Sequence, residues 1–266
     1  MDVNEFISDR MAGAAPYLLP SVRQLAVLSA HGDEMIAAGT VVLVWYRGSR
    51  YLLSAAHVLE LYPERPYLVG TATAWVPING AFRVLPMPKG GRANDPFDIA
   101  FRKVDADFAQ SLDGCEFLTA DQIATHDVLT FGSPFRSKYL VIGFPRNKLG
   151  FSRASRATFP KNLFFVGALS PKADYARTRF APESHIVTEF DRKQVFVEGA
   201  LQRAPMVEGL SGGGMFRFPG IERVGSASPP TLAAITIEHD PRHRLMIGTR
   251  IDVFFSAIDA DKGAES

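Results

Sequence analysis

Val207-Glu208-Gly209-Leu210-Ser211-Gly212-Gly213-Gly214-Met215-Phe216, VEGLSGGGMF, places four glycines and one serine within six residues, just ahead of an apolar pair. Taken alone, a Gly/Ser cluster reads as a flexible turn. The second reading makes Ser211 a nucleophile on an unusual backbone. A serine hydroxyl is a weak nucleophile until a base takes its proton. The rest of the chain must then supply a base and an acid to orient it.

The chain has 266 residues, 47% of them apolar and 21% charged. That composition predicts a packed core and not a disordered chain. Lys plus Arg is 29 and Asp plus Glu is 28, so bulk charge gives no argument for a nucleic-acid partner. Eight basic and no acidic residues fall between 128 and 173: Arg136, Lys138, Arg146, Lys148, Arg153, Arg156, Lys161 and Lys172. This stretch reads as a solvated basic region or as an anion-attracting surface. The start, Met1-Asp2-Val3-Asn4-Glu5, is acidic where a signal peptide is basic. The longest nearly apolar run, residues 36–46, is too short to span a bilayer. A single cysteine, Cys115, allows no internal disulfide. The expectation is a soluble, cytoplasmic protein with no membrane partner.

Short strand-like runs dominate: 22–28, 39–46, 51–55, 67–69, 72–76, 81–84 and 99–104, then 129–131, 139–143, 164–168, 185–188, 194–197, 214–217, 232–238 and 244–248. Arg47-Gly48-Ser49-Arg50 reads as a four-residue hairpin loop between two of them. Only 3–11 and 253–260 look helical. Such spacing favours an all-β barrel or sandwich. Residues 107–138 read as the join between two β halves.

Two pieces qualify as base and acid. In Tyr51-Leu52-Leu53-Ser54-Ala55-Ala56-His57 a strand runs into two alanines and a histidine. Imidazole is the side chain best suited to take a proton near neutrality. In Asp95-Pro96-Phe97-Asp98-Ile99, Asp98 stands immediately before a strand, and Asp95 beside Pro96 reads as the turn residue. Each piece alone is commonplace. A histidine can close a strand and an aspartate can open one for structural reasons.

Together, Ser-Ala-Ala-His, Asp-Ile-Ala and Gly-Leu-Ser-Gly-Gly resemble the trypsin-like (chymotrypsin-fold) serine peptidases. The likeness is to the bacterial HtrA-like branch, here without a PDZ domain. Val141-Ile142-Gly143-Phe144-Pro145 adds a weaker echo of that branch. The resemblance implies an all-β fold of two antiparallel six-stranded β-barrels with a C-terminal helix. Residues 1–20 would be an N-terminal extension and 21–128 a first barrel with His57 and Asp98. Residues 129–266 would be a second barrel with Ser211 and the helix. It implies a serine endopeptidase acting on protein or peptide substrates, with no cofactor or metal. His57 would be general base, Asp98 its orienting acid and Ser211 the nucleophile. The Gly209 and Ser211 amides would form the oxyanion hole, with Pro205, Ile237, Glu238 and His239 around the substrate. Val58 replaces the cysteine that follows the histidine in secreted relatives. Leu210 replaces their acid before the nucleophile, and Gly214 their proline.

Two rivals are weaker. Gly209-Leu210-Ser211-Gly212-Gly213 also fits the elbow of α/β-hydrolases, but no alternation of strands and helices surrounds it. His239 and His243 have helical ligand spacing, but Pro241 between them predicts a hairpin turn. A binding module of the same fold without turnover is the alternative function.

Overall fold

A computed structural model describes residues 3–125, 129, 131, 137–146, 149–152, 157–160, 162–190, 195–197, 200–202, 207–218 and 228–264. The first half holds β1 (Val22–Leu28), β2 (Met35–Tyr46), β3 (Ser49–Ala55), β4 (Tyr67–Gly70), β5 (Trp75–Pro77), β6 (Arg83–Val84) and β7 (Ile99–Val104). The second holds β8 (Lys138–Gly143), β9 (Leu149–Ser152), β10 (Ala157–Pro160), β11 (Leu163–Ala168), β12 (His185–Glu189), β13 (Val195–Val197), β14 (Ala200–Gln202), β15 (Gly214–Arg217), β16 (Thr231–Asp240) and β17 (Leu245–Arg250). The helices are α1 (Val3–Leu18), α2 (Ala56–Glu60), α3 (Ala106–Ser111), α4 (Lys172–Tyr175) and α5 (Ile251–Ala264). None of the described helices is long and apolar enough to cross a membrane.

The protein is mostly β, with two antiparallel sheets, one a curled half-barrel and one open, and a C-terminal helix. The first sheet runs β5-β4-β1-β2-β3-β7-β6 and the second β11-β8-β15-β16-β17-β12. That is seven and six strands where six and six were expected. The outermost, β6, is a two-residue piece pairing with β7. In the second sheet Leu169, just past β11, bridges to Thr188 of β12, so the two edge strands meet at one end.

The apolar runs of the sequence follow from burial on both strand faces. Successive side chains of a strand point to opposite sides. In β2, Val41 and Leu43 enter a core with Leu25, Leu52 and Val69 of the first sheet and Val187, Ile237 and Ile247 of the second. Val42 and Val44 enter a second core with Leu140, Ile142, Phe216 and Ile235 from the other sheet. In β8, Tyr139 and Val141 turn the other way, into a third core with Phe165 and Met246. The first and the middle core both cement the two sheets together, and the middle one also takes in the terminal helices. Helix α5 adds Ile251, Phe254, Phe255 and Ile258 to it, and α1 adds Met11, Ala14 and Leu18.

Local departures from the sequence reading have local causes. The loop after β2 is two residues long, because Tyr46 pairs directly with Ser49. Arg47 and Gly48 take φ of 45° and 75°, the tight turn whose twist matches the strands. Leu129 and Phe131 lie outside any strand, half-buried against the cores. Residues 241–244 form the expected turn between β16 and β17: Asp240 Oδ1 accepts from the amides of Arg242 and His243. Asp240 Oδ2 meets His243 Nδ1 at 2.6 Å.

Candidate active site

Strand β3 ends at Ala55, and the chain turns at once into α2, so His57 sits in the first turn of a short helix and not at the strand end itself. Strand β7 lies beside β3, pairing Ala55 with Ile99. Asp98, directly before Ile99, is thereby brought against His57. The Ala56 amide donates to Asp98 O at 2.9 Å. The Asp98 carboxylate accepts from the His57 backbone amide at 2.9 Å and meets His57 Nδ1 at 2.5 Å. A carboxylate can only accept, so Nδ1 carries a proton, and in the neutral ring Nε2 keeps its lone pair. The side chain of Asp98 is 8% exposed and that of His57 36%, so the acid is shielded while the ring is open to solvent.

Asp98 has φ of 49°, the left-handed region that few residues other than glycine adopt. Its neighbours hold it there. His185 Nε2 meets Pro96 O at 2.6 Å, and Thr249 Oγ1 donates to Phe97 O at 2.6 Å. Both come from the second sheet. Pro96 O only accepts, so Nε2 of His185 carries the proton, and Ser184 Oγ lies 2.9 Å from its Nδ1. Burial pushes the His185 imidazole below its ordinary value. Asp95 is the turn residue expected, its Oδ1 accepting from the Phe97 amide at 3.0 Å.

Ser211 is held in a loop anchored to both sheets. Gly209 and Gly212 have φ of 98° and 84°. At Gly212 a methyl group would overlap Thr40 O and Ser54 Oγ, which explains the small residue at 54. Ser54 Oγ donates to Thr40 O at 2.8 Å. Thr40 is the tether that sequence reasoning missed. Its hydroxyl donates to Gly209 O at 2.8 Å and accepts from the Phe144 amide at 2.9 Å, while its own amide donates to Ser211 O at 3.0 Å. Leu210 is buried in the third core, and a side chain at Gly143 would strike it. The amides of Leu210, Gly212 and Gly213 donate to Val207 O, Thr236 O and Leu210 O. Those of Gly209 and Ser211 have no acceptor among the described residues.

His57, Asp98 and Ser211 line one cavity of about 440 Å³ together with Ile237, Glu238 and His239. Arg92, Asp95, Arg179, Val207 and Glu208 complete most of its wall. Pro205 lies outside the described residues. Arg179 Nη2 donates to Glu238 Oε2 at 2.5 Å, and burial pushes the Glu238 carboxyl above its ordinary value. No hydrogen bond joins Ser211 Oγ to His57 Nε2 among the described residues; the two groups share the cavity. Of the eight basic residues between 128 and 173, Lys138, Arg146 and Lys172 are described. Arg146 braces the site, its amide on Glu208 O at 2.7 Å and its guanidinium on Ala37 O and Tyr62 Oη. No group of metal-binding side chains occurs among the described residues.

The two antiparallel sheets are compatible with a trypsin-like fold. No protein-family model matches the chain, and no curated protein matches it. Among solved structures it aligns with one concerning the Sesbania mosaic virus VPg protein, its coupled folding and binding and the aromatic interactions that drive them. Identity there is 13% with a TM-score of 0.47, over 87% of this chain and 86% of that one.

Proposed function

We propose that this chain is a serine endopeptidase of the trypsin-like kind, its two sheets serving as the two barrels of that fold. The observation that carries the reading is the Asp98 carboxylate on the backbone amide and Nδ1 of His57, beside a cavity that Ser211 also lines. His57 Nε2 takes the proton of Ser211 Oγ as that oxygen bonds to the substrate carbonyl carbon. The carbonyl oxygen becomes an oxyanion, and the two unengaged amides, Gly209 and Ser211, are its donors. Collapse breaks the C–N bond, the leaving amine takes the proton from His57, and water later releases the acyl group by the same steps. This is the established mechanism of the family that the sequence resembles. Ile142-Gly143-Phe144-Pro145 favours the bacterial HtrA-like branch, and the lone Cys115 favours a reducing, cytoplasmic compartment.

A binding module of the same fold without turnover is the competing reading, favoured by the missing Ser211–His57 hydrogen bond. Catalytic hydrogen bonds are often long before substrate arrives, which leaves the peptidase reading ahead. A fluorophosphonate probe with mass-spectrometric site mapping decides between them. Modification of Ser211 in wild type and its loss in His57→Ala are expected. A folded protein that does not react overturns the peptidase reading.

A further inference from the structure

His57 and Asp98 belong to separate segments, and a third residue grips both. Glu60 stands three residues after His57 on α2, close to the same face of that helix. Asp95 stands three residues before Asp98. Arg92 Nε donates to Glu60 Oε2 at 3.0 Å, and Arg92 Nη2 pairs with Glu60 Oε1. Arg92 Nη1 donates to Asp95 Oδ2 at 2.5 Å and reaches Leu85 O at 3.3 Å. Asp95 in turn fixes the Phe97 amide, one residue short of Asp98. We infer that Arg92 is a positioning residue, a clamp that sets the distance between the helix carrying His57 and the loop carrying Asp98.

The energetics favour a positioning role over a merely stabilising one. The side chains of Arg92 and Asp95 are 12% and 6% exposed. Burying charges carries a desolvation penalty, and apolar residues of similar volume often stabilise a fold as well or better. What a planar guanidinium adds is bidentate geometry, which fixes direction as well as distance. The Glu60 hydrogen bonds hold the guanidinium above its ordinary value, so it stays charged. Arg92 and Asp95 also line the cavity beside His57 and Asp98, so the clamp is part of the wall of the site.

The inference rests on the peptidase reading for its effect on turnover, and the test has one readout that does not. Arg92→Met keeps the apolar stem and removes the guanidinium. In the folded variant the far-downfield proton resonance of His57 Nδ1–H should be lost or broadened. The rate of Ser211 modification and kcat should fall at least about tenfold with KM little changed, as expected for a small misplacement of catalytic groups. Arg92→Lys, which keeps charge without the fork, should lie between wild type and Arg92→Met. Glu60→Gln gives a second folded variant should Arg92→Met not fold, and it should weaken the same resonance. A folded Arg92→Met or Glu60→Gln with the resonance intact overturns the inference. A wild type that fails to react with the probe overturns only the peptidase reading, because the resonance still decides the clamp.

Discussion

Asp98 is where backbone and chemistry conflict and are reconciled. A left-handed aspartate is disfavoured by about 1 kcal/mol, yet that conformation turns one carboxylate onto the backbone amide and Nδ1 of His57. Asparagine tolerates the same backbone angles, so Asp98→Asn tests the charge and the tautomer alone. The variant should fold and react with the fluorophosphonate probe more than about a thousandfold more slowly, with Nδ1 no longer obliged to carry the proton. Ser211→Ala should remove probe modification altogether, and any peptidase rate should fall by at least about a thousandfold. Near-wild-type turnover in Ser211→Ala would refute the assignment. His185 makes a separate prediction. Its imidazole is buried, and that burial holds its folded value below the ordinary one. Below about pH 6.5 the unfolded chain binds a proton that folded His185 declines, so stability falls as pH falls. The melting temperature should drop more steeply from pH 7 to 5 in wild type than in His185→Gln. Equal slopes would show that His185 contributes nothing to acid sensitivity.

At the scale of elements, the Ser211 loop is fixed by what it touches and not by its own residues. Thr40, from the middle of β2, holds Gly209 O and the Phe144 amide with one hydroxyl. Thr40→Val keeps the shape and leaves both groups buried without partners, at about 1–3 kcal/mol each. Urea unfolding should therefore show a loss of about 2–6 kcal/mol with an unchanged slope. Probe modification of Ser211 should slow as well. A loss below about 0.5 kcal/mol, the usual size for an inconsequential surface change, would mean the tether is not needed. The sequence showed part of this element. The glycines after Ser211 were readable as close packing, but their partner Thr40 lies 169 residues before Gly209 and carries no local signal.

At the scale of the whole molecule, the site lies between two sheets joined by shared apolar cores, one of which takes in both terminal helices. Helix α1 contributes to that core through Met11, Ala14 and the fully buried Leu18. Leu18→Ala should cost about 2–5 kcal/mol, measured by denaturant unfolding. Full-length protein should still react at Ser211 without N-terminal processing, because Leu210 is an apolar anchor and offers no carboxylate to a newly cut terminus. Reaction only after residues 1–20 are removed would contradict this.

What the sequence by itself determined is whatever repeats over short distances or stands at a chain position. Runs such as Val41-Val42-Leu43-Val44 and Tyr139-Leu140-Val141-Ile142 marked strands, and the order of His57, Asp98 and Ser211 marked a candidate site. Only the tertiary structure decided that Ala56–Glu60 is helical, that Arg92 spans Glu60 and Asp95, and that His185 holds Pro96 from 89 residues away. The reason is physical. Strand pleat and turn chemistry are set by neighbours in sequence, whereas a hydrogen bond between sheets depends on how the sheets pack, and packing leaves no period in the chain.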